Sequence, residues 1–465
     1  MQKLVARGIF RLQERLLGRR TFSILRRLEQ SQWFPRERIR QLQLARLGEL
    51  LAAAYEHTPY WREVMDANGV APETVASLED LRRLPLLEKA TIRARREQMA
   101  WPGEGPGVRL ARTSGSTSGA LAFYTSASRE AAITAARIRG HRWIGIDVGD
   151  TEVYFWGAPV ELSGMTRLKR LRDRLANTPL SSASVIDAGV VREHAAAWRR
   201  CRANCLFGYP SSFCLFARVA RQVGVDLTDL PAAGLRAICT TAEMLTERDR
   251  ATIRNAFGVP VYDSYGLREG GLVGHECEHL TMHTVDEQLI LETIDPGTGR
   301  PTAGEGELVL TNLTSRVMPV IRYRTGDRVA LSARPCPCGR SLGRVKVAGG
   351  RLHDFVVTGD GRWVGSIAFS RICSAVPGIV KFQVRQERLS EIRLLLAVDE
   401  DFPADGAARA AAAARARLAD GDRLAVEIVD DIKPAPSGKY RPVVSKVAEQ
   451  LRRSGRYVPA PAGWE

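Results

Sequence analysis

Thr113-Ser114-Gly115-Ser116-Thr117-Ser118-Gly119 lies between two short apolar runs, Val108-Arg109-Leu110 and Leu121-Ala122-Phe123-Tyr124. The pattern reads as strand, loop, strand. Small side chains let a backbone come close to a bulky anion, and successive N–H groups and hydroxyls can then meet phosphate oxygens. The stretch is not a Walker loop, because the Gly-Lys-Ser/Thr ending is missing. A Ser/Gly/Thr loop is also a common plain connection, so the segments around it must decide.

At 465 residues and 45% apolar content the chain exceeds one small core, and two or three domains are expected. No window approaches the ~20 apolar residues of a membrane span. Arginines interrupt the N-terminus, so a signal peptide is not expected. The eight cysteines are unevenly spaced, which favours reduced thiols in a cytoplasm over a disulfide framework. Formal charge is +16, and residues 1–50 hold twelve Lys/Arg against four acids, a net +8. A solvated helical face accounts for that charge. Weak association with an anionic membrane surface is the alternative. No zinc-finger, RNP or basic-zipper pattern accompanies it, so no specific nucleic-acid partner is expected.

Helical spacing covers residues 1–30 and then Pro35 to about His57, giving a basic helical segment over 1–57. From Ser128 the pattern alternates: helix Ser128–Ile144, strand Val153–Trp156, helix His194–Arg202, strand Cys205–Phe207. Strand Leu235–Cys239, helix Thr246–Phe257 and strand Val261-Tyr262 continue it. Strands alternating with helices argue for a layered α/β body. After Thr284 short strands with Gly and Pro turns suggest a β-rich subdomain. Gly349-Gly350-Arg351 opens a β-β-α-β module. The expected architecture is a large α/β domain over 58–349 and a small mobile α+β domain over 350–465.

Four further segments could carry chemistry. Lys439, in Pro436-Ser437-Gly438-Lys439, is fixed by its Pro and Gly neighbours and can set an ammonium on developing negative charge. In Tyr265-Gly266-Leu267-Arg268-Glu269 the tyrosine can stack on a base and the carboxylate can hold a magnesium ion. Tyr323-Arg324-Thr325-Gly326-Asp327 ends another strand with an acceptor for a ribose diol. Cys277, His283, Cys336 and Cys338, with His279 as a substitute, supply ligands of the count and type that suit tetrahedral zinc, or they are two pairs of buried groups.

In this order the segments resemble the motifs of the acyl-adenylate-forming ligase superfamily. Residues 113–119 resemble its phosphate loop, Tyr265–Glu269 its Tyr-Gly-x-Thr/Ser-Glu, Tyr323–Asp327 its Tyr-x-Thr-Gly-Asp. Gly350-Arg351 resembles its hinge, and Pro436–Lys439 its Ser-Gly-Lys. Within it, four segments resemble phenylacetate–CoA ligases and their capsule-locus relatives: Thr58-Pro59-Tyr60-Trp61-Arg62, Leu84–Lys89, Gly208-Tyr209-Pro210 and Cys-x-Cys-Gly-Arg at 336–340.

The resemblance implies that a carboxylate attacks the α-phosphate of ATP to give acyl-AMP and pyrophosphate, and that the acyl group then passes to CoA. It implies ATP contacts from Thr113, Ser114, Gly115, Ser116, Thr117, Glu243, Asp263, Tyr265, Gly266 and Asp327. Glu269 would hold Mg2+, Lys439 and Arg351 would act in catalysis, and His353 or Asp354 would be the pivot. The structural Zn2+ associated with such Cys/His positions would sit on Cys277, His283, Cys336 and Cys338. Departures are Ser118 for Gly, Ala120 near the usual Pro, and Arg268 for Thr/Ser. Leu352-His353-Asp354 stands where an acidic pair is usual. Phe155, Trp156 and Tyr209 either line an acyl pocket for an aryl or arylalkyl acid or are ordinary core aromatics. Delivery of an acyl or adenylyl group to a non-CoA acceptor stays open, as does a non-catalytic basic binding protein on the same fold.

Overall fold

The computed structural model describes residues 2–101, 103, 105, 107–112, 121–156, 172–173, 175–183, 186–351, 355–361, 363–365, 368–369, 372–373, 375–433 and 440–453. Among them, eleven strands form one sheet. Its parallel half runs in space through Leu180–Ser182, Glu152–Trp156, Cys205–Gly208, Ala237–Thr241 and Val261–Leu267. The antiparallel half continues through Gly271–Glu276, Met282–Thr284, Arg344–Arg351, Tyr323–Ser332, Glu305–Asn312 and Leu289–Ile294.

Parallel pairing requires crossover connections, and helices Ala188–Arg200, Pro210–Gln222 and Glu247–Phe257 supply them. The sequence marks their ends. Asp187 caps the first by accepting from Val190 N, and Thr246 and Asp249 form a reciprocal box at the start of the third. Gly258 at φ +69° closes that helix in the left-handed region. The first helix begins six residues before the expected His194, because the Asp187 cap initiates it there. Phe155, Trp198, Phe213, Phe216 and Phe257 fill the core under these helices. Each buried aromatic contributes roughly 1.5–3 kcal/mol.

The N-terminal helices lie on the body rather than apart from it. Leu25 and Leu28 pack with Ala135 and Ala136 of helix Ala127–Trp143. Several of the basic residues are paired: Lys3 with Asp150 (2.6 Å), Arg36 with Asp286 (2.7 Å), Arg40 with Glu79 (2.8 Å), and Arg7 with Asp147. Helix Gln2–Leu16 buries Ala6 and Glu14 but leaves Leu4, Leu12 and Leu16 exposed at 71%, 57% and 79%. No helix among the described residues is long and apolar enough to cross a membrane.

Strand Arg344–Arg351 carries the chain across the expected 349/350 boundary into the C-terminal module. There Arg423–Val429, Glu391–Val398, Ile379–Arg388 and Val443–Ser445 form a four-stranded sheet in that order. Helix Gly406–Arg415 covers it with Ala410 and Ala414 inward, which accounts for the Ala-rich run.

Candidate active site

Strands Arg109–Arg112 and Ala122–Thr125 pair antiparallel with Arg112 opposite Ala122, so residues 113–121 connect the two strands of a hairpin. Thr113, Ser114, Gly115, Ser116 and Thr117 themselves lie outside the described residues, as do His353, Asp354 and Lys439.

The two tyrosine motifs cross-link each other. The Tyr265 hydroxyl donates to Asp327 Oδ2 at 2.6 Å, and the Tyr323 hydroxyl reaches Glu269 Oε1 at 3.4 Å. Each motif's tyrosine therefore touches the other motif's carboxylate. Gly326 at φ +77° makes the local turn that Thr325 completes by accepting from Asp327 N at 3.1 Å. Gly266 sits against the returning strand, where a Cβ would come 3.2 Å from the Gly271 carbonyl. The strand register sets the Arg351 backbone opposite Asp327.

Two sequence segments strap this rim in place. Leu87 N donates to the Arg322 carbonyl (2.9 Å) and Arg324 N to the Leu87 carbonyl (3.1 Å). Arg322 Nη1 donates to the Leu84 carbonyl (2.6 Å), and Glu88 pairs with Arg324 (3.0 Å). The Trp61 indole donates to the Pro319 carbonyl at 3.0 Å. The segments Thr58–Arg62 and Leu84–Lys89 thus hold the strand that presents Asp327.

Arg129 was not legible from sequence. It is buried in helix Ala127–Trp143 and donates to the carbonyls of Arg268 (2.5 Å) and Glu269 (3.0 Å). Burial lowers its pKa to about 10, opposed by Glu130 and Glu269. It fixes the turn that orients the Glu269 carboxylate, with Asn312 also donating to the Gly270 carbonyl at 3.1 Å. Nothing in the local sequence ties residue 129 to residue 269.

A cleft of about 1530 Å³ opens between the sheet and the C-terminal module, lined by Ser211, Glu243, Asp263, Tyr265, Asp327 and Tyr440 among others. Glu243 bridges the two sides: Ser211 N donates to one carboxylate oxygen (3.2 Å) and Tyr440 N to the other (3.0 Å). Tyr440 is the residue after Lys439 in the sequence. Asp263 accepts from Thr240 Oγ1 at 2.7 Å. Burial pushes its carboxyl up to about 7, against that hydrogen bond.

Alternation along strand Glu152–Trp156 separates the expected pocket aromatics. Trp156 packs on Tyr209, with centroids 4.3 Å apart. Phe155 points to the opposite face and is fully buried against Trp198, Phe213 and Phe216. Phe155 is core packing, since successive strand residues face opposite sides. Gly208 is required beside it, because a Cβ there would lie 2.3 Å from the Phe155 carbonyl oxygen.

Cys277, His283, Cys336 and Cys338 converge, with one donor atom from each within 4.8 Å of the others. The Cys277–Cys336 sulfur separation of 3.8 Å is far beyond a disulfide. It equals the edge, about 3.8 Å, that two Zn–S bonds of ~2.3 Å make at a tetrahedral angle. His283 Nε2 lies 3.1 Å from Cys338 Sγ. Burial works against ionising Cys336, but hydrogen bonds from Thr281 and the Cys338 amide outweigh it and hold the thiol below its ordinary range. The donor set fits a tetrahedral thiophilic cation. His279, the expected substitute, contributes its backbone N–H to Cys277 Sγ at 3.4 Å.

Known proteins place this arrangement. Residues 356–446 match the family model described as the CapK C-terminal domain. Phenylacetate-coenzyme A ligase of Escherichia coli is 30% identical over 69% of this chain and 73% of its own length. The enzyme of the same name from Thermus thermophilus is 29% identical over 79% and 83%. The crystal structure of 2-hydroxyisobutyryl-CoA ligase in its postadenylation state shares the fold with a TM-score of 0.72 at 21% identity, covering 91% of this chain and 93% of that one. The fold is that of the acyl-adenylate-forming ligases. Within that class, the chain belongs to the phenylacetate–CoA ligase family.

Proposed function

We propose that this protein is an AMP-forming acid–CoA ligase: it joins a carboxylic acid to ATP as acyl-AMP, then transfers the acyl group to CoA. The observation that carries this reading is the reciprocal pairing of Tyr265 with Asp327 and Tyr323 with Glu269, which brings the two motifs onto one rim. Family membership supports the same chemistry.

In the first step a carboxylate oxygen of the acid forms a bond to the α-phosphorus, and the bond from that phosphorus to the bridging oxygen breaks, releasing pyrophosphate. Asp327 accepts from the ribose hydroxyls, and Asp263, Gly266 and Tyr265 hold the adenine. Thr113, Ser114, Gly115, Ser116 and Thr117 bind the phosphates. Glu269 holds Mg2+, which neutralises phosphate charge when bound. Lys439 and Arg351 stabilise the negative charge of the adenylation step. In the second step the CoA sulfur attacks the acyl carbonyl carbon, AMP departs, and the thiol proton leaves to solvent. Residues 350–465 reorient about His353 and Asp354 between the steps, which breaks the contact from Tyr440 N to Glu243.

Trp156 and Tyr209 form one wall for an aryl or arylalkyl acid. The buried Trp156 indole N–H has no partner among the described residues, which supports an acid carrying an acceptor at that depth. Cys277, His283, Cys336 and Cys338 hold a structural Zn2+. Eight free cysteines support a cytoplasmic enzyme. The exposed stripe of Leu4, Leu12 and Leu16, interleaved with Arg11 and Arg15, supports weak docking on an anionic membrane.

The test is product analysis by mass spectrometry over a panel of acids with ATP and CoA. Acyl-CoA and AMP formed together support the ligase. Acid-dependent AMP release that leaves CoA unconsumed assigns the acyl group to another acceptor. No AMP with any acid contradicts both.

A further inference from the structure

A second cluster of metal-ligating groups lies beside the Cys277 set. His141, Cys239 and His275 are 4%, 0% and 1% exposed, and one ring nitrogen from each histidine and the cysteine sulfur lie within 4.8 Å of one another. The clusters are neighbours, with His275 opposite His283 in the strand register, and the Trp143 ring packs against both, with centroids 6.1 Å from His275 and 5.7 Å from His283. Three elements meet here: helix Ala127–Trp143 and strands Ala237–Thr241 and Gly271–Glu276.

The protons do not suffice to satisfy these groups. His275 Nδ1 lies 2.7 Å from the Glu276 carbonyl, which can only accept, so Nδ1 carries the proton and Nε2 presents a lone pair. That lone pair faces Cys239 Sγ at 3.5 Å. His141 Nδ1 is turned to the Glu152 carboxylate at 3.6 Å, and its buried Nε2 has no hydrogen-bond partner among the described residues. One thiol proton can serve one imidazole, and the other is left unsatisfied, which is costly in a buried site. A cation bound by both nitrogens and the thiolate satisfies all three. The outer contact of His275 is also that of a metal site, because ligating histidines donate their second N–H to a backbone carbonyl or a carboxylate, and the Glu152 carboxylate is the charged group nearest the second nitrogen of His141. Glu152 is itself held by Arg137 through bonds of 2.8 and 2.9 Å. The close fit is built in, since a Cβ at Gly140 would come 2.6 Å from His275 Cγ.

We propose that His141, Cys239 and His275 form a second site for a thiophilic cation, zinc(II) or copper(I), tying helix Ala127–Trp143 to the sheet. Two imidazoles and one thiolate select these ions over magnesium or calcium. The site lies behind Thr240, whose hydroxyl holds Asp263, so the cation braces the floor of the cleft.

The experiment loads full-length protein with zinc(II), or with copper(I) under reducing conditions, and counts bound metal by native mass spectrometry. Two equivalents are expected for the unaltered chain, one for Cys239→Ser, one for Cys338→Ser, and none for the double variant. His141→Gln, which leaves the cysteine in place, should also lose one equivalent, so the inference does not hang on the folding of a single variant. Preferential filling by one of the two ions identifies the resident metal. A single equivalent in the unaltered chain that Cys338→Ser abolishes and Cys239→Ser retains overturns the proposal. So does a His141→Gln protein that keeps both equivalents.

Discussion

Asp327→Asn is the substitution that probes the rim most selectively. Asparagine keeps the shape of the side chain, and its one carbonyl oxygen can still accept from the Tyr265 hydroxyl, which now lies 2.6 Å from Oδ2. A ribose diol offers two further donors, and the variant meets them with an amide that also donates. One charge-assisted hydrogen bond is lost, at about 1.5–3 kcal/mol, and a donor now faces a donor, at about 1–3 kcal/mol more. Together these predict a fall in kcat/KM for ATP of roughly 10²–10⁴-fold, since each 1.4 kcal/mol is tenfold. Steady-state kinetics with ATP varied at saturating acid measure it, alongside a melting curve. The curve should shift little, because the straps from Leu84–Glu88 and Trp61 hold the strand independently of this carboxylate. A variant that folds normally and loses less than threefold would refute the ribose role and the logic of the paired motifs.

The raised pKa of Asp263 makes stability depend on pH. The folded chain keeps a proton up to about pH 7 that the unfolded chain releases near 4, so this group's contribution to stability falls as pH rises through that window. The loss is at most about 4 kcal/mol, and Asp263→Asn should flatten that part of the urea-midpoint profile; parallel profiles would contradict it. Cys336→Ser should release about one equivalent of zinc and lower the melting temperature by roughly 3–4 °C, for a loss of ~3 kcal/mol. Unchanged metal content would remove the Cys277 cluster as a zinc site. Leu12→Ser with Leu16→Ser should weaken flotation with anionic vesicles at least about tenfold while leaving ligase turnover unchanged. Equal flotation of both proteins would remove the membrane role of helix Gln2–Leu16.

Much of this was legible because each motif packs its functional side chains into a short stretch of chain. Tyr265 and Glu269, like Tyr323 and Asp327, are four residues apart, so their local grouping follows from sequence, but Tyr323–Asp327 opens strand Tyr323–Ser332 rather than ending a strand as its sequence reads. Their mutual pairing does not, since it depends on two strands meeting across the sheet. The contribution of Arg129 was invisible for the same reason. Strand Gly271–Glu276 carries a weak strand signal because Gly271 and Gly274 interrupt it, yet Gly274 is needed where Met282 and Val345 pack closely. For the aromatic pair Phe155-Trp156, strand alternation puts the two neighbours on opposite faces, and only burial shows that Phe155 is the one in the core. The His141–Cys239–His275 cluster spans three elements with no spacing signature, so only the fold assembles it.

The central claim is acyl-adenylate formation at this rim, and carboxylate-dependent exchange of radiolabelled pyrophosphate into ATP tests it most directly. The account predicts exchange with at least one aryl or arylalkyl acid, none without acid, and a loss of orders of magnitude in Lys439→Ala. Absence of exchange across the acid panel, in protein that is folded and supplied with Mg2+, would contradict it.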